Sequence, residues 1–259
     1  MHFKKILIAN RGEIACRIIK TCKRLGIETV AIYSPIDRTA LFVEAADEAY
    51  CLGSNELSHS YLDSQKIIDI ARNTDCQAIH PGYGFLSENT EFSALCKQNA
   101  IVFIGPSAHA IELMGCKKQA KILMAKNNIP VVPGFNIDTD DKKLLIEKAN
   151  ALGYPLLIKA ASGGGGKGMK RVESEDELIN AIQSAKRESI KSFSSDQLLI
   201  EKYLSAPRHI EVQIFSDNHS NTVHLFDRDC SIQRRHQKII EEAPAIDIKK
   251  EVREAMYQT

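Results

Sequence analysis

Two lysines, Lys159 and Lys167, bracket a run that ends in four consecutive glycines, Gly163, Gly164, Gly165 and Gly166, and Gly168 follows. Ordering a glycine costs roughly 0.5–1 kcal/mol more than ordering an alanine inside a regular element, so five in six positions need a chemical reason. The chemistry that suits them is polyphosphate binding. Without Cβ atoms, successive backbone N–H groups can close on phosphate oxygens as an anion nest. Lys167 adds a cation at the tip of the loop. Lys159, at the end of the strand-like run before it, aims a second cation at the same place. A unit charge pair about 4 Å apart is worth about 4 kcal/mol at an effective dielectric near about 20.

Several loops of this kind exist, and the residues separate them. Walker A needs Ser or Thr after the lysine, and Gly168 stands there. Gly163, Gly165 and Gly168 match the G-x-G-x-x-G spacing. That fingerprint opens a helix, however, and "MKRV" after the loop is strand-like. A flexible linker would carry polar residues on both sides, whereas strand-like runs flank this loop. A glycine-rich hairpin lying over a nucleotide is the remaining form. Protein kinases use one, but their lysine follows the loop, and no catalytic-loop or DFG-type motif occurs here. An ATP-grasp arrangement, in which two α+β lobes hold ATP between them, is left.

The elements that must position these groups fall into two series. Residues 3 to about 115 alternate strand and helix, beginning with "KKILIAN" and "GEIACRIIKTCKRLG". Alternation of this kind predicts a doubly wound parallel sheet with helices on both faces. Its first turn, Asn10-Arg11-Gly12-Glu13, has one glycine where a dinucleotide fingerprint needs three, which argues against NAD. From 116 the pattern becomes α+β, with the glycine loop between the strands "YPLLIKA" and "MKRV" and β-rich sequence after about 197. The expected domains are therefore 1–115 and 116–259. "IKKEVREAMYQT" closes the chain as an amphipathic helix with Ile248, Val252 and Met256 on one face.

Composition bounds the partners. The 259 residues carry a net charge of +1, with 26% charged and 44% hydrophobic residues, which gives no case for nucleic acid or an anionic membrane. No run of eighteen apolar residues occurs, and no secretory signal opens the chain. Seven cysteines without a CxxC read as small buried hydrophobes in a reducing compartment, so the expected location is cytoplasmic.

Six ordered strings, "IANRGEIACRI", "AIHPGYGFLSEN", "IGPSAHAIELMG", "IKAASGGGGKGM", "IEKYLSAPRHIEVQI" and "RDCSIQRRHQKIIEEAPA", resemble the biotin carboxylase component of biotin-dependent carboxylases, over residues 4 to about 250. "ADEAYCLG" and "VHLFDRDCSIQRRHQKIIEEAPA" are most similar to the α subunits of methylcrotonyl-CoA carboxylases. The resemblance implies a pre-ATP-grasp, Rossmann-like domain followed by an ATP-grasp domain. It implies ATP-dependent carboxylation of carrier-bound biotin by bicarbonate through carboxyphosphate, with Mg2+ or Mn2+.

Roles follow at the matching positions. Lys117 and Lys159 would hold phosphates, and Gly163 to Gly166, Lys167, Gly168 and Met169 would form the lid. Glu201, Lys202, Tyr203 and Leu204 would receive the adenine, and His209 would touch the ribose. Gln233 and His236 would face the nucleotide, and Lys238 would bind bicarbonate. The resemblance further implies a biotin carboxyl carrier domain and a carboxyltransferase subunit as partners. It implies a homodimer or larger complex, and the mitochondrial matrix in a eukaryote. No carboxylate here matches the family's magnesium ligands, which are expected beyond residue 259, with the C-terminal lobe. The chain alone is therefore expected not to turn over. A noncatalytic ATP-binding role, or another ATP-grasp ligase, is the alternative.

Overall fold

The computed structural model describes residues 3–161, 169–193 (the Phe193 side chain excepted), 195–234 and 237–259. The chain divides into two compact units, Met1–Gly115 and Cys116–Thr259.

The first unit contains β1 (Lys5–Ile8), α1 (Gly12–Arg24), β2 (Glu28–Tyr33), α2 (Leu41–Ala45), β3 (Glu48–Cys51), α3 (Ser64–Asn73), β4 (Ala78–His80), α4 (Thr90–Gln98), β5 (Val102–Phe103) and α5 (Ala108–Gly115). The five strands are all parallel, in the order β3-β2-β1-β4-β5. Alternation along the strands divides the core. Leu7, Val30, Ile32 and Ile79 face one way and pack with Ile67, Ile68 and Ala71 of α3 and Phe92 and Cys96 of α4. Ile6, Ile8, Ala31 and Ala78 face the other way and meet Ala15, Ile18, Ile19 and Cys22 of α1. Helices thus cover both faces, as the alternating sequence predicts.

Beyond β1, the Asn10 amide donates to the carbonyls of Pro81 (2.7 Å) and Tyr83 (2.8 Å). Gly82, between them, has φ +64°, and a Cβ there would lie 2.8 Å from Asn10 Nδ2. "HPGYG" is thus tied into its own unit.

A second polar knot lies beyond β2. The buried Asp37 carboxylate accepts from Arg11 (Nε, 2.7 Å), Tyr61 (2.7 Å) and Ser34 (3.0 Å). The Arg11 guanidinium leads in holding the Asp37 carboxyl down to about 2. A carboxylate depressed below its ordinary 3.8 contributes its full stabilisation above that value and loses it as pH falls through about 2. Asp37→Ala is expected to cost about 1–3 kcal/mol, because it strands buried donors. It should also flatten the stability slope between pH 4 and 2, which an acid titration followed by circular dichroism would measure.

The second unit contains α6 (Lys117–Lys126), β6 (Gly134–Asn136), α7 (Lys142–Leu152), β7 (Leu156–Ala160), β8 (Lys170–Val172), α8 (Glu175–Phe193), β9 (Leu198–Lys202), β10 (Ile210–Ser216), β11 (Thr222–Arg234), β12 (Gln237–Glu242) and α9 (Lys250–Gln258). Four strands form an antiparallel sheet in the order β6-β9-β7-β8. Leu156, Ile158, Ala160, Val172, Leu198 and Ile200 pack on Leu145 and Ala149 of α7 and Leu178, Ile182 and Ala185 of α8. With a period of two, the residues between them, Leu157, Lys159, Leu199 and Glu201, share the opposite face. Strands β10, β11 and β12 form a separate antiparallel sheet.

The closing helix is shorter than the apolar spacing predicts. Ile248 precedes α9, and Val252 is 50% exposed. The polar face docks instead. Arg253 Nε (2.7 Å) and Tyr257 Oη (3.0 Å) both donate to Asp227 on β11, and the Tyr257 ring stacks on His224 with centroids 4.0 Å apart. The fully buried Asp227 carboxylate is the anchor of α9. No described helix is long and apolar enough to cross a membrane.

Candidate nucleotide and anion site

The site is built outward from Glu201. In the antiparallel register Glu201 stands opposite Leu157 on β7 and Gly134 on β6, and Leu199 stands opposite Lys159. Glu201 and Lys159 therefore share a face, and Lys159 Nζ reaches Glu201 Oε2 at 2.6 Å. The close approach of β6 depends on a glycine. A Cβ at Gly134 would lie 2.3 Å from the Ile200 carbonyl and 3.0 Å from Glu201 Cγ.

Helix α6 supplies the other cations. Lys117 and Lys121 are four residues apart and so lie on the same side of the helix. Lys121 Nζ donates to Glu201 Oε1 at 2.7 Å. Each carboxylate oxygen thus has its own lysine. Burial opposes ionisation of Glu201, but the two ammonium groups outweigh it and hold the carboxyl below its ordinary range. Lys117 is pushed down, first by burial and then by the neighbouring Lys159 charge. Lys117, Lys121 and Lys159 lie close together beside Glu201, a grouping of cations that suits an anion.

The residues after Glu201 are fixed by backbone pairing. The Lys202 amide donates to Pro133 (2.9 Å), and its Nζ donates to the carbonyls of Gly153 and Tyr154 at the end of α7. The Tyr203 amide donates to Pro155 (3.0 Å), and its ring lies 4.2 Å from the Arg171 guanidinium. Leu204 is 48% exposed, so an apolar surface is available for a flat ring. Met169, leading into β8, is half-buried.

A second cluster lies on the β10–β12 sheet. His209, just before β10, and Glu211 are two apart on an extended run and share a face. The Gln233 amide of β11 donates to His209 Nδ1 at 2.9 Å, which puts the ring proton of neutral His209 on Nε2. That nitrogen lies 4.0 Å from Glu211. Lys238 pairs with Gln233 in register, and its Nζ is hydrogen-bonded to Glu211 Oε2. Arg228 holds the other oxygen through Nε at 2.7 Å. Lys238, followed by Arg228, keeps the Glu211 carboxyl down at about 2. His209, Gln233 and Lys238 are therefore gathered around one carboxylate.

Glu211, Cys230 and Glu241 are the one described group close enough together to hold a metal. They do not suit magnesium. Both Glu211 oxygens are taken by cations, and burial pushes the Cys230 thiol up, away from the thiolate form. A thiol is also a poor ligand for a hard cation. Gly163, Gly164, Gly165, Gly166, Lys167, Gly168 and His236 lie outside the described residues.

Sequence reasoning missed Lys121, Arg228 and Glu211. The i, i+4 spacing from Lys117 and the i, i+2 spacing from His209 were the available signals.

Comparison with known proteins adds the following. The family described as "Biotin carboxylase, N-terminal domain" matches residues 2–111, and "Carbamoyl-phosphate synthase L chain, ATP binding domain" matches residues 116–259. The mitochondrial methylcrotonoyl-CoA carboxylase subunit alpha of Mus musculus is 55% identical over 249 residues, which are 96% of this chain and 35% of that protein. Biotin carboxylase 1 of Bacillus subtilis is 49% identical, over 98% of this chain and 56% of that one. The crystallised biotin carboxylase domain dimer of 2-oxoglutarate carboxylase from Hydrogenobacter thermophilus, in complex with MgADP, ADP and bicarbonate, superposes with a TM-score of 0.93. It is 47% identical, and the match covers 100% of this chain and 57% of that one. The chain thus spans about a third of the methylcrotonoyl-CoA carboxylase subunits it matches, 35% in the mouse protein.

Proposed function

The chain belongs to the biotin carboxylase family, and from that premise we propose that it forms the ATP- and bicarbonate-binding part of a biotin carboxylase within an acyl-CoA carboxylase of the methylcrotonyl type. The observation that carries this reading is the charge arrangement. Lys121 of α6 and Lys159 of β7 each hold one Glu201 oxygen, with Lys117 near enough to feel both charges, while Lys238 stands beside Glu211, His209 and Gln233 on the other sheet.

In this reading Lys117 and Lys159 neutralise the phosphates, and Glu201 accepts from the adenine amino group. The carbonyl edge at Lys202 and the Leu204 side chain complete the adenine seat. His209 contacts the ribose. Lys238 holds bicarbonate, whose oxygen attacks the γ-phosphorus as the bond to ADP breaks, which leaves carboxyphosphate. Catalysis of this kind is mostly positioning and charge compensation. Biotin on a carrier supplies the ureido nitrogen that accepts the carboxyl group. The described residues do not fit magnesium. A carrier domain, a carboxyltransferase subunit and a second copy are the partners proposed. The mitochondrial matrix or the cytoplasm is the compartment, according to the organism.

Calorimetric titration of the chain with ATP and with GTP tests the reading, with ATP expected to bind and GTP much less. Absence of ATP binding would overturn it. ADP release that needs bicarbonate but ignores biotin would favour another ligase built on the same ATP-binding domain.

A further inference from the structure

We propose that Lys121 is a positioning residue of the nucleotide site, holding Glu201 ionised and in place through Oε1 so that Lys159 can leave Oε2 for a phosphate when a nucleotide arrives. This rests on the reading that the Glu201 face binds ATP. The geometry behind it is the division of one buried carboxylate between two lysines, at 2.7 Å and 2.6 Å, one from α6 and one from β7. Glu201 is only 8% exposed.

Lys159 has two incompatible duties. It is the counter-ion of Glu201 in the structure, and it is the phosphate ligand in the proposed function. Withdrawing the sole partner of a buried carboxylate strands an uncompensated charge, which is far more costly than replacing the pair. With Lys121 in place, Glu201 keeps one full ion pair when Lys159 turns away. Without it, every nucleotide phosphate must compete with Glu201 for Lys159. Lys121 need not touch the nucleotide to act. It lowers the cost of releasing the lysine that does.

The two carboxylate oxygens also gain separate uses. Oε1 stays with Lys121 and fixes the carboxylate plane. Oε2 exchanges a lysine for the exocyclic amino group of the base. Base reading and phosphate binding are then coupled through one side chain, because the amino group takes the oxygen that Lys159 vacates. A base with a carbonyl at that position would meet a carboxylate oxygen with nothing to donate, and Lys159 would stay where it is.

The test is a double-mutant cycle on the full chain, with ATP affinity measured by calorimetry. Lys121→Met is expected to weaken ATP binding about 10- to 100-fold, the range for losing a hydrogen bond to a charged group. Lys121→Arg should restore it to within about 3-fold, since a guanidinium can hold the same oxygen. In a Glu201→Gln background the Lys121→Met change should cost less than about 3-fold, because no carboxylate remains to hold Lys159. Unchanged affinity in Lys121→Met overturns the proposal. So does an equal loss in both backgrounds, which would mean that Lys121 only attracts phosphate through its charge. Failure of Lys121→Arg to rescue also overturns it. Wild-type chain that does not bind ATP overturns the functional reading itself, a result distinct from wild-type binding with an unaffected Lys121→Met.

Discussion

Lys159→Ala is expected to weaken ATP binding about 10- to 100-fold, or about 1.5–3 kcal/mol, the range for a hydrogen bond to a charged group. The loss should appear as affinity and not as unfolding. Glu201 keeps its 2.7 Å contact with Lys121 after the substitution, so the buried carboxylate is not stranded. Lys117→Ala should act in the same direction. The pair should not be additive, because each lysine raises the cost of the other's charge, as the depressed Lys117 already indicates. Calorimetry with ATP on each variant, alongside thermal denaturation, separates the two effects. ATP affinity equal to wild type in both single variants would remove these lysines from the site.

Asp227→Ala is expected to release α9 at a cost of about 3 kcal/mol, the scale for removing one partner of a buried ion pair. Asp227 is 1% exposed and ties β11 to the segment before α9 and to α9 itself. Its Oδ1 accepts from the Ala245 amide at 2.9 Å, and its Oδ2 accepts from Arg253 and Tyr257. Nothing apolar on α9 is fully buried to replace those contacts. The signature is local, namely faster amide exchange across residues 250–258 with little change in the first unit. Unaltered protection there would mean that the Tyr257–His224 stack holds the helix by itself. Asp227→Asn should fall between, since one oxygen remains to accept.

The reach of the sequence is clearest on β7 and β9. "YPLLIKA" and "QLLIEKYL" declare themselves as strands, and period-two spacing puts Lys159 on the face away from Ile158. Neither string says that the two strands are neighbours. That pairing is what brings Lys159 to Glu201, and it links positions 42 residues apart. Lys121 joins them from 80 residues away. The same limit applies to Glu211, whose partners Arg228 and Lys238 arrive on two other strands. Short elements were lost for a different reason. Strand β6 is three residues, Gly134–Asn136, inside a Pro- and Gly-bearing stretch, and β3 has a mostly exposed, polar-edged pattern. Such segments are held by their neighbours and carry no periodic signal of their own. The doubly wound sheet of the first unit was legible because strand-like runs alternate with helices such as α1 and α3, whose apolar residues recur at helical spacing.

The order of that first sheet carries a consequence for where ligands can go. The chain winds outward from β1 in one direction through β2 and β3, and in the other through β4 and β5, so the winding reverses between β1 and β4. In open sheets of this kind the crevice beyond the strand ends at that reversal is where a ligand usually settles. Here the two lips of the crevice are joined to each other. Asn10, 4% exposed, leaves the end of β1 and spends its amide on the Pro81 and Tyr83 carbonyls beyond β4, with Gly82 leaving no room between. The opening has become a seam. A fold that elsewhere cradles a cofactor at this point has its cradle stitched shut, so this crevice serves the unit as a joint.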